Sequence, residues 1–566
     1  MFLIFLSWIY IVFTTINLGF AFDRILVLKN KDFIITSFLG LFFATILASI
    51  WAIFGRINIE FHLVLLFCNG LFFFKFKKEI ITLYNQFWFE LNQLSQSFKI
   101  YLTVLTLLII AQCSSSPFVI DNESYYIQTI KWLNEYGFVK GLANLHLFLG
   151  QTSGWHITQS VFNFSFIYSN FNDLSGLCLL LGSVFFIQKV NAFYQNKNIN
   201  YLLVGLFPVS SIFLFQFISA PSPDIPVYIL SFIVFFYFLE HYKKCSVESF
   251  NLIVIFILFA LYIKNTTLTL LLIPIVLFLQ NFNLLAKNLS KSFILSLLIL
   301  VLYLAKNMII CGSIIFPSKL FDSFTTDYSI PNSVETAYYE QLKYLGYHVT
   351  GQQYSSMHNF ELFLNWLNVH KLHGFFNKLS ISLILITPFF IYKFQNQKKY
   401  WILYVLMLLQ LLLLFATSPQ YRFFMNFILF FTVFCFVCLV QNKRMITTLL
   451  FITIIPSFIL MFIPFNLNRF TNNKLMKETN HFSIQNSVFP HQNTKNETAF
   501  EVIELGNLKY FSPIENDFFW ESGNGKLPCV NKKQIDYYEH YFHIIPQMRT
   551  KELKDGFYAK KISVNE

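Results

Sequence analysis

Apolar runs broken by short polar connections recur along the whole chain, at 2-22, 33-54, 60-74, 99-116, 173-190, 201-219, 225-241, 251-266, 267-281, 292-309, 377-393, 400-417, 423-440 and 445-465. Most approach the ~20 residues that a membrane-spanning helix needs. No barrel-like alternation is present, and inside lipid a helix satisfies its own backbone, so the pattern predicts an all-α polytopic bundle with about fourteen transmembrane helices. Between Ile80 and Phe98 the apolar positions Ile80, Tyr84, Phe87, Leu91, Leu94 and Phe98 follow a helical period. They predict a helix in the cytoplasmic interface or packed on the bundle. Met1 to Phe22 lacks a basic flank and a small-residue cleavage site, so it reads as a first span.

The polar breaks divide into two kinds. Arg24/Lys29/Lys31, Lys75/Lys77/Lys78, Lys189/Lys197, Lys243/Lys244, Lys287/Lys291, Lys393/Lys398/Lys399 and Lys443/Arg444 fall in or beside alternate connections. Basic residues collect on the cytoplasmic side, which sends the long connections outside. These are the outer loops 117-172 and 310-376 and a polar tail, giving a transmembrane domain over 1-465 and an extracytoplasmic domain over 466-566. Mixed charge, Pro490, Pro513, Pro528 and Pro546, and alternating stretches such as Ala499 to Leu508 predict a small α+β fold for the tail.

Composition agrees: 55% of the 566 residues are hydrophobic and 12% charged, far from the ~25% charged residues of a soluble domain. The net charge of +12 is spread over loop clusters and forms no single patch, so no nucleic-acid partner is expected. Cys435 and Cys438 make a C-x-x-C inside an apolar run, where buried thiols are expected.

The candidate chemistry lies at helix ends. Asp121 follows the fourth span in Ser114-Ser115-Ser116-Pro117-Phe118-Val119-Ile120-Asp121-Asn122-Glu123-Ser124-Tyr125-Tyr126, and Asp224 closes Ala220-Pro221-Ser222-Pro223-Asp224. Lys264, Lys306 and Arg422 stand at or near the outer ends of later spans. Charge near membrane depth is costly, so each of these groups asks for a partner or a task. A carboxylate there can accept a proton from a hydroxyl, and cations can neutralise a departing phosphate. Structural alternatives stand beside this: Asp121, Glu123 and Asp224 as helix-capping acids, the three cations as headgroup anchors, and His146 and His156 as loop-packing residues.

Asp121 to Tyr126, continued by Lys131-Trp132-Leu133-Asn134-Glu135-Tyr136-Gly137 and Gly141-Leu142-Ala143-Asn144-Leu145-His146, resembles the first outer loop of bacterial GT-C-type glycosyltransferases. Ser222-Pro223-Asp224, Lys264-Asn265, Lys306-Asn307 with Gly312-Ser313-Ile314-Ile315-Phe316-Pro317, and Ser418-Pro419-Gln420-Tyr421-Arg422-Phe423 are similar to outer segments of that superfamily. The resemblance covers roughly 100 to 440 and rests on layout. It implies a GT-C-like bundle in a bacterial inner membrane, with the C-terminus outside. The donor it implies is a polyprenyl-phosphate sugar, the acceptor a glycan, lipid or protein, and the context cell-surface glycan assembly by inverting transfer.

In that scheme Asp121 is the catalytic base. Tyr125 and Tyr126 shape the sugar site, Glu123 and Asp224 position hydroxyls or a metal, and Lys264, Lys306 and Arg422 hold the phosphate. The Asp121/Glu123 pair is a D-x-E where metal-binding members carry D-x-D, which leaves Mg²⁺ or Mn²⁺ open. Two alternatives remain: a polysaccharide polymerase or ligase acting on a lipid-linked oligosaccharide, and a lipid or glycan transporter, whose charges belong near the midplane.

Overall fold

The computed structural model describes residues 1–318, 325–463, 465–476, 482–514 and 518–562; the remaining parts of the expected loop 310-376 and tail 466-566 lie outside the described residues. The chain opens with α1 (Phe2–Leu26) and α2 (Phe33–Ala52). Val27 turns left-handed to end α1, and Asp32 caps α2 by accepting from the Ile34 and Ile35 amides. These two helices lie unusually close. A Cβ on Gly19 would overlap the Thr36 carbonyl oxygen, and one on Gly40 that of Thr15. Small residues of this kind let membrane helices approach backbone to backbone.

Next come α3 (Ile59–Lys75), α4 (Lys77–Asn92) and α5 (Gln96–Cys113), then a long loop carrying α6 (Ile127–Glu135) and α7 (Gly154–Val161). The middle of the chain holds α8 (Leu174–Asn196), α9 (Ile199–Gly205), α10 (Ser211–Leu214), α11 (Asp224–His241), α12 (Val247–Ile263), α13 (Leu272–Gln280), α14 (Phe282–Leu285) and α15 (Ser290–Cys311). A second long loop contains α16 (Asn332–Gly346), α17 (Gly351–Ser356) and α18 (Asn359–Leu367). The bundle closes with α19 (Lys371–Phe394), α20 (Lys398–Ala416), α21 (Met425–Leu439) and α22 (Lys443–Phe462).

Among the described residues, ten helices are long and apolar enough to cross a membrane, or up to twelve if each of two bent pairs counts as one span. Ten to twelve of the expected fourteen spans therefore qualify by length and composition, and the reasons for the shortfall are local. The apolar run at 60-74 ends in an 88° bend between α3 and α4, and the run at 267-281 leads into a 96° bend before α14. Helix α12 stops at Ile263 because Lys264 is extended, and α21 starts only at Met425, after the turn containing Pro419. Both helices are apolar but short.

Burial separates centre from periphery. Helices α2 and α11 bury 83% of their apolar windows, whereas α22 buries 28% and leaves Ile452, Ile455 and Phe458 outward. Such an apolar exterior is what a lipid-facing helix requires.

The tail forms β1 (Phe500–Leu505) paired antiparallel with β2 (Leu508–Pro513), α23 (Lys532–Phe542), and β3 (Ile544–Met548) paired antiparallel with β4 (Phe557–Lys561). It is a small region of two two-stranded sheets. Its strands sit on the first long loop, where the Phe557 amide donates to the Lys140 carbonyl at 2.9 Å, and the His491 amide reaches the end of α5 at Ser114 O, 2.8 Å away. The basic connections gather at the opposite end of the bundle, where Lys29 pairs with Glu248 at 2.7 Å and Lys189 with Asp32 at 3.7 Å. Both long loops and the tail thus share one face, and the basic clusters share the other.

Candidate functional site

Past the end of α5 the chain turns through a single wide turn, Asn122–Tyr126, into α6. Asp121 stands at its start but its side chain caps nothing. Instead Oδ2 accepts from Arg422 Nη1 at 2.5 Å and from the Tyr126 hydroxyl at 3.4 Å. Arg422 lies on the turn Tyr421–Phe423 between α20 and α21, where Gln420 Oε1 accepts from its Nε at 2.9 Å. The two side chains, 22% and 26% exposed, remain reachable from solvent.

Asp224 is the first residue of α11 and also makes no capping bond. Its side chain is buried, Oδ1 accepts from Lys264 Nζ, and Oδ2 has no partner among the described residues. Desolvating a carboxylate oxygen without a donor is costly, so such a group calls for an explanation, whether a catalytic role, strain, or a bound water or ion. Lys264 reaches Asp224 because α12 ends just before it, in extended backbone.

One ring joins the two ion pairs. Lys264 Nζ lies 4.2 Å, and the Arg422 guanidinium 5.2 Å, from the centre of Phe423. Tyr228, one turn along α11 from Asp224, donates to the Arg422 carbonyl at 2.7 Å. Gln410 of α20 ties the connections together, donating to Thr266 O at 2.5 Å and to Phe423 O at 3.4 Å. Asp121 and Asp224 both act electrostatically on Arg422 and on Lys264, so the four charges form one cluster.

An aromatic wall closes one side. Tyr125 and Tyr126 pack edge to face at 4.7 Å, and the His156 ring lies 4.7 Å from Tyr126. Behind Tyr125 stands Phe148, which packs at 4.5 Å on Trp520 of the tail. His156 Nδ1 accepts from the Ser153 amide at 3.2 Å, which leaves the proton on Nε2, and Nε2 has no partner among the described residues. Burial, with the Lys306 ammonium nearby, pulls this imidazole down to about 3, so it is a neutral donor at physiological pH. His146 is a packing residue: Nδ1 accepts from the Phe148 amide, Nε2 meets Trp520 O at 3.2 Å, and burial holds it at about 4.

Two residues singled out in the sequence are engaged elsewhere. Lys306, on α15, donates to Thr152 O at 2.7 Å and Asn307 Oδ1 at 3.0 Å, and so borders the cluster by way of His156. Glu123 turns away to the tail, where it accepts from Thr494 Oγ1 at 2.6 Å and the Lys495 amide at 2.9 Å. The D-x-E carboxylates therefore do not converge on a common ligand position. Among the described residues no group of three His, Cys, Asp or Glu side chains is placed to hold a metal.

Sequence reasoning passed over Gln410, Tyr228 and Phe423, and set His156 aside as packing. Gln410 carried a signal, being a lone amide inside the apolar run 400-417, where a polar group needs a partner. A ring such as Phe423 carries none among 74 phenylalanines.

A family profile described as Domain of unknown function (DUF8201) matches residues 1–429 of the 566. The chain belongs to this family. The DUF8201 match spans Asp121, Asp224, Lys264, Lys306 and Arg422 and stops short of α22 and the tail, so Trp520 lies beyond it. No curated protein matches the chain.

Proposed function

We propose that this chain is a membrane-embedded glycosyltransferase of the GT-C type, moving a sugar from a polyprenyl-phosphate donor to an acceptor hydroxyl at the non-cytoplasmic face. The observation that carries the reading is the gathering of Asp121–Arg422 and Asp224–Lys264 around Phe423, on the face that bears both long loops. Here α12 and α21 are short spans that bring the twelve to fourteen, the basic clusters lie inside, and that face and the C-terminus lie outside the cytoplasm of a bacterial plasma membrane.

In this reading the donor phosphate draws Arg422 and Lys264 to itself, since guanidinium and ammonium bind phosphate as well as carboxylate. Asp121 Oδ2, released from Arg422, takes the proton of the acceptor hydroxyl. The acceptor oxygen bonds to the anomeric carbon, and the bond from that carbon to the phosphate oxygen breaks. Its electron pair leaves with the phosphate, whose charge the two cations offset. A single displacement inverts the anomeric centre. Tyr125, Tyr126 and the neutral His156 Nε2–H line the sugar position.

Lys264 lies at the end of α12, and Lys306 only five residues before the end of α15. That depth is about 7 Å from the helix end at 1.5 Å per residue, which favours surface chemistry over midplane transport.

The test is transfer from radiolabelled polyprenyl-phosphate hexoses by the full-length chain in proteoliposomes. Asp121→Asn is expected to lower the rate by about 10²–10⁴-fold, the usual contribution of a general base, with unchanged insertion and melting. Full activity in Asp121→Asn removes the base from the scheme.

A further inference from the structure

Beside the charged cluster, and separate from it, lies a cleft of about 1010 Å³. None of Asp121, Asp224, Lys264 and Arg422 lines it; α15 contributes Ile309, whereas Lys306, three residues earlier, is engaged with Thr152 O. Three distant segments build most of it, and Ile309 and Asp327 complete the lining. Gly137, at φ +77°, makes the turn after α6, and a Cβ there would overlap the Gly55 carbonyl, so residues 135–140 lie directly against the turn 53–56. The third segment is the tail, held by the Phe557 amide on Lys140 O.

The lining mixes both signs of charge, with Arg56, Lys140, Arg549 and Lys554 set among Glu135, Asp327 and Asp555. Three of the four cations are already paired, Lys554 with Glu552 at 2.7 Å. Asp327 Oδ2 accepts from Arg549 Nη2 at 2.6 Å and Nε at 3.2 Å, and Glu60 accepts from Arg56 at 2.6 Å. A wall neutralised in this way exerts little net pull on an anion, yet presents many donors and acceptors. Between the polar groups stand the rings of Tyr136, Phe138 and Tyr558. Hydroxyl groups suit the first set of partners and the flat C–H faces of pyranose rings suit the second. The volume lies at the top of the ~300–1,000 Å³ typical of ligand clefts, room for a chain of rings.

We propose that this cleft binds an uncharged oligosaccharide chain, with Tyr136 and Tyr558 stacking on sugar faces and Glu135, Lys140 and the Asp327–Arg549 pair bonding to hydroxyls. The proposal concerns binding alone and stands whether or not Asp121 supports transfer.

The full-length chain in lipid nanodiscs is titrated calorimetrically with cellotetraose, chitotetraose, maltotetraose and mannotetraose. At least one is expected to bind saturably, with the same affinity in Asp121→Asn. Tyr136→Ala and Tyr558→Ala should each weaken that binding about tenfold, the effect of losing one contact of ~1.4 kcal/mol. Melting curves identify a variant that fails to fold, in which case the solvent-exposed Lys140→Ala takes its place with the same expectation. Absence of binding by all four sugars overturns the proposal, and so does binding indifferent to every variant. Tighter, Arg549-dependent binding of inorganic phosphate or phosphatidylglycerol vesicles overturns it in favour of an anion site.

Discussion

Glu123 and Asp121 are two residues apart and meet different surroundings. Thr494 Oγ1 lies 2.6 Å from Glu123 Oε2 and 3.1 Å from Asn496 O, but a hydroxyl has one proton to give. When that proton goes to Asn496, the short contact to Glu123 needs a proton on the carboxyl itself, so the site accommodates the neutral acid. Burial, with the Glu521 carboxylate adding to it, pushes Glu123 up from 4.5 to about 7. Its folded value is raised, so the contribution to stability is complete below about pH 4.5 and is lost as pH rises through 7. A shift of this size corresponds to roughly 3 kcal/mol at 1.36 kcal/mol per unit. The buried neutral His146 and His156 act in the opposite direction, gaining stability as pH rises toward 6.5. Wild type and Glu123→Gln must therefore be compared. The gap between their melting temperatures, followed from pH 5 to pH 8, is expected to move in favour of the glutamine variant as pH rises. A pH-independent gap contradicts the buried-acid account.

Helices α1 and α2 show what an apolar run leaves unsaid. Their existence follows from hydrophobicity, but their separation follows from Gly19 and Gly40, each against the backbone of the other helix. Gly70 on α3 offers the contrast, since a Cβ there meets nothing within 4 Å. Opposite outcomes are expected from the same substitution. Gly40→Ala forces backbones apart and should destabilise by about 1–3 kcal/mol, the usual effect of overpacking. Gly70→Ala should stabilise by up to ~1 kcal/mol through helix propensity. Thermal unfolding in detergent distinguishes them, and equal effects at the two positions overturn the close-packing argument. The bend after α13 was equally hidden, whereas the one after α3 was foreshadowed by the helical period at 80–98, most of which α4 carries at 88° to α3. Hydropathy reports the length of an apolar stretch, whereas a change of direction comes from tertiary packing.

At the scale of the whole molecule, the polytopic helical architecture was legible because lipid imposes it on any such run of apolar segments. The ionisable residues at helix ends were legible because charge is rare there. Their pairing was not: Asp121 and Arg422 are 301 residues apart, and neither neighbourhood names the other. The same holds for the tail, whose start at 466 is visible as the end of the last apolar run while its partners lie almost 400 residues earlier. Gln128 donates to the carbonyls of Gly523 and Gly525, Lys131 to those of Asn524 and Gly525, and the Ser522 and Gly523 amides donate to Glu123 O. These groups are buried or half-buried, so without the tail they lose partners that water can replace only if the loop opens. The tail also supplies Trp520 to the wall behind Tyr125. A chain ending at residue 465 should therefore insert its helices but fail to order the loop beside the charged cluster. With several hydrogen bonds of ~1 kcal/mol or more each removed, the local loss is on the order of 5 kcal/mol. Hydrogen exchange at 122–136 is expected to accelerate by roughly several thousand-fold, at about 1.4 kcal/mol per factor of ten, while the amides of α2 and α11 keep their protection. Native protection of 122–136 in the shortened chain would mean that the first loop folds unaided and that the tail is a passenger.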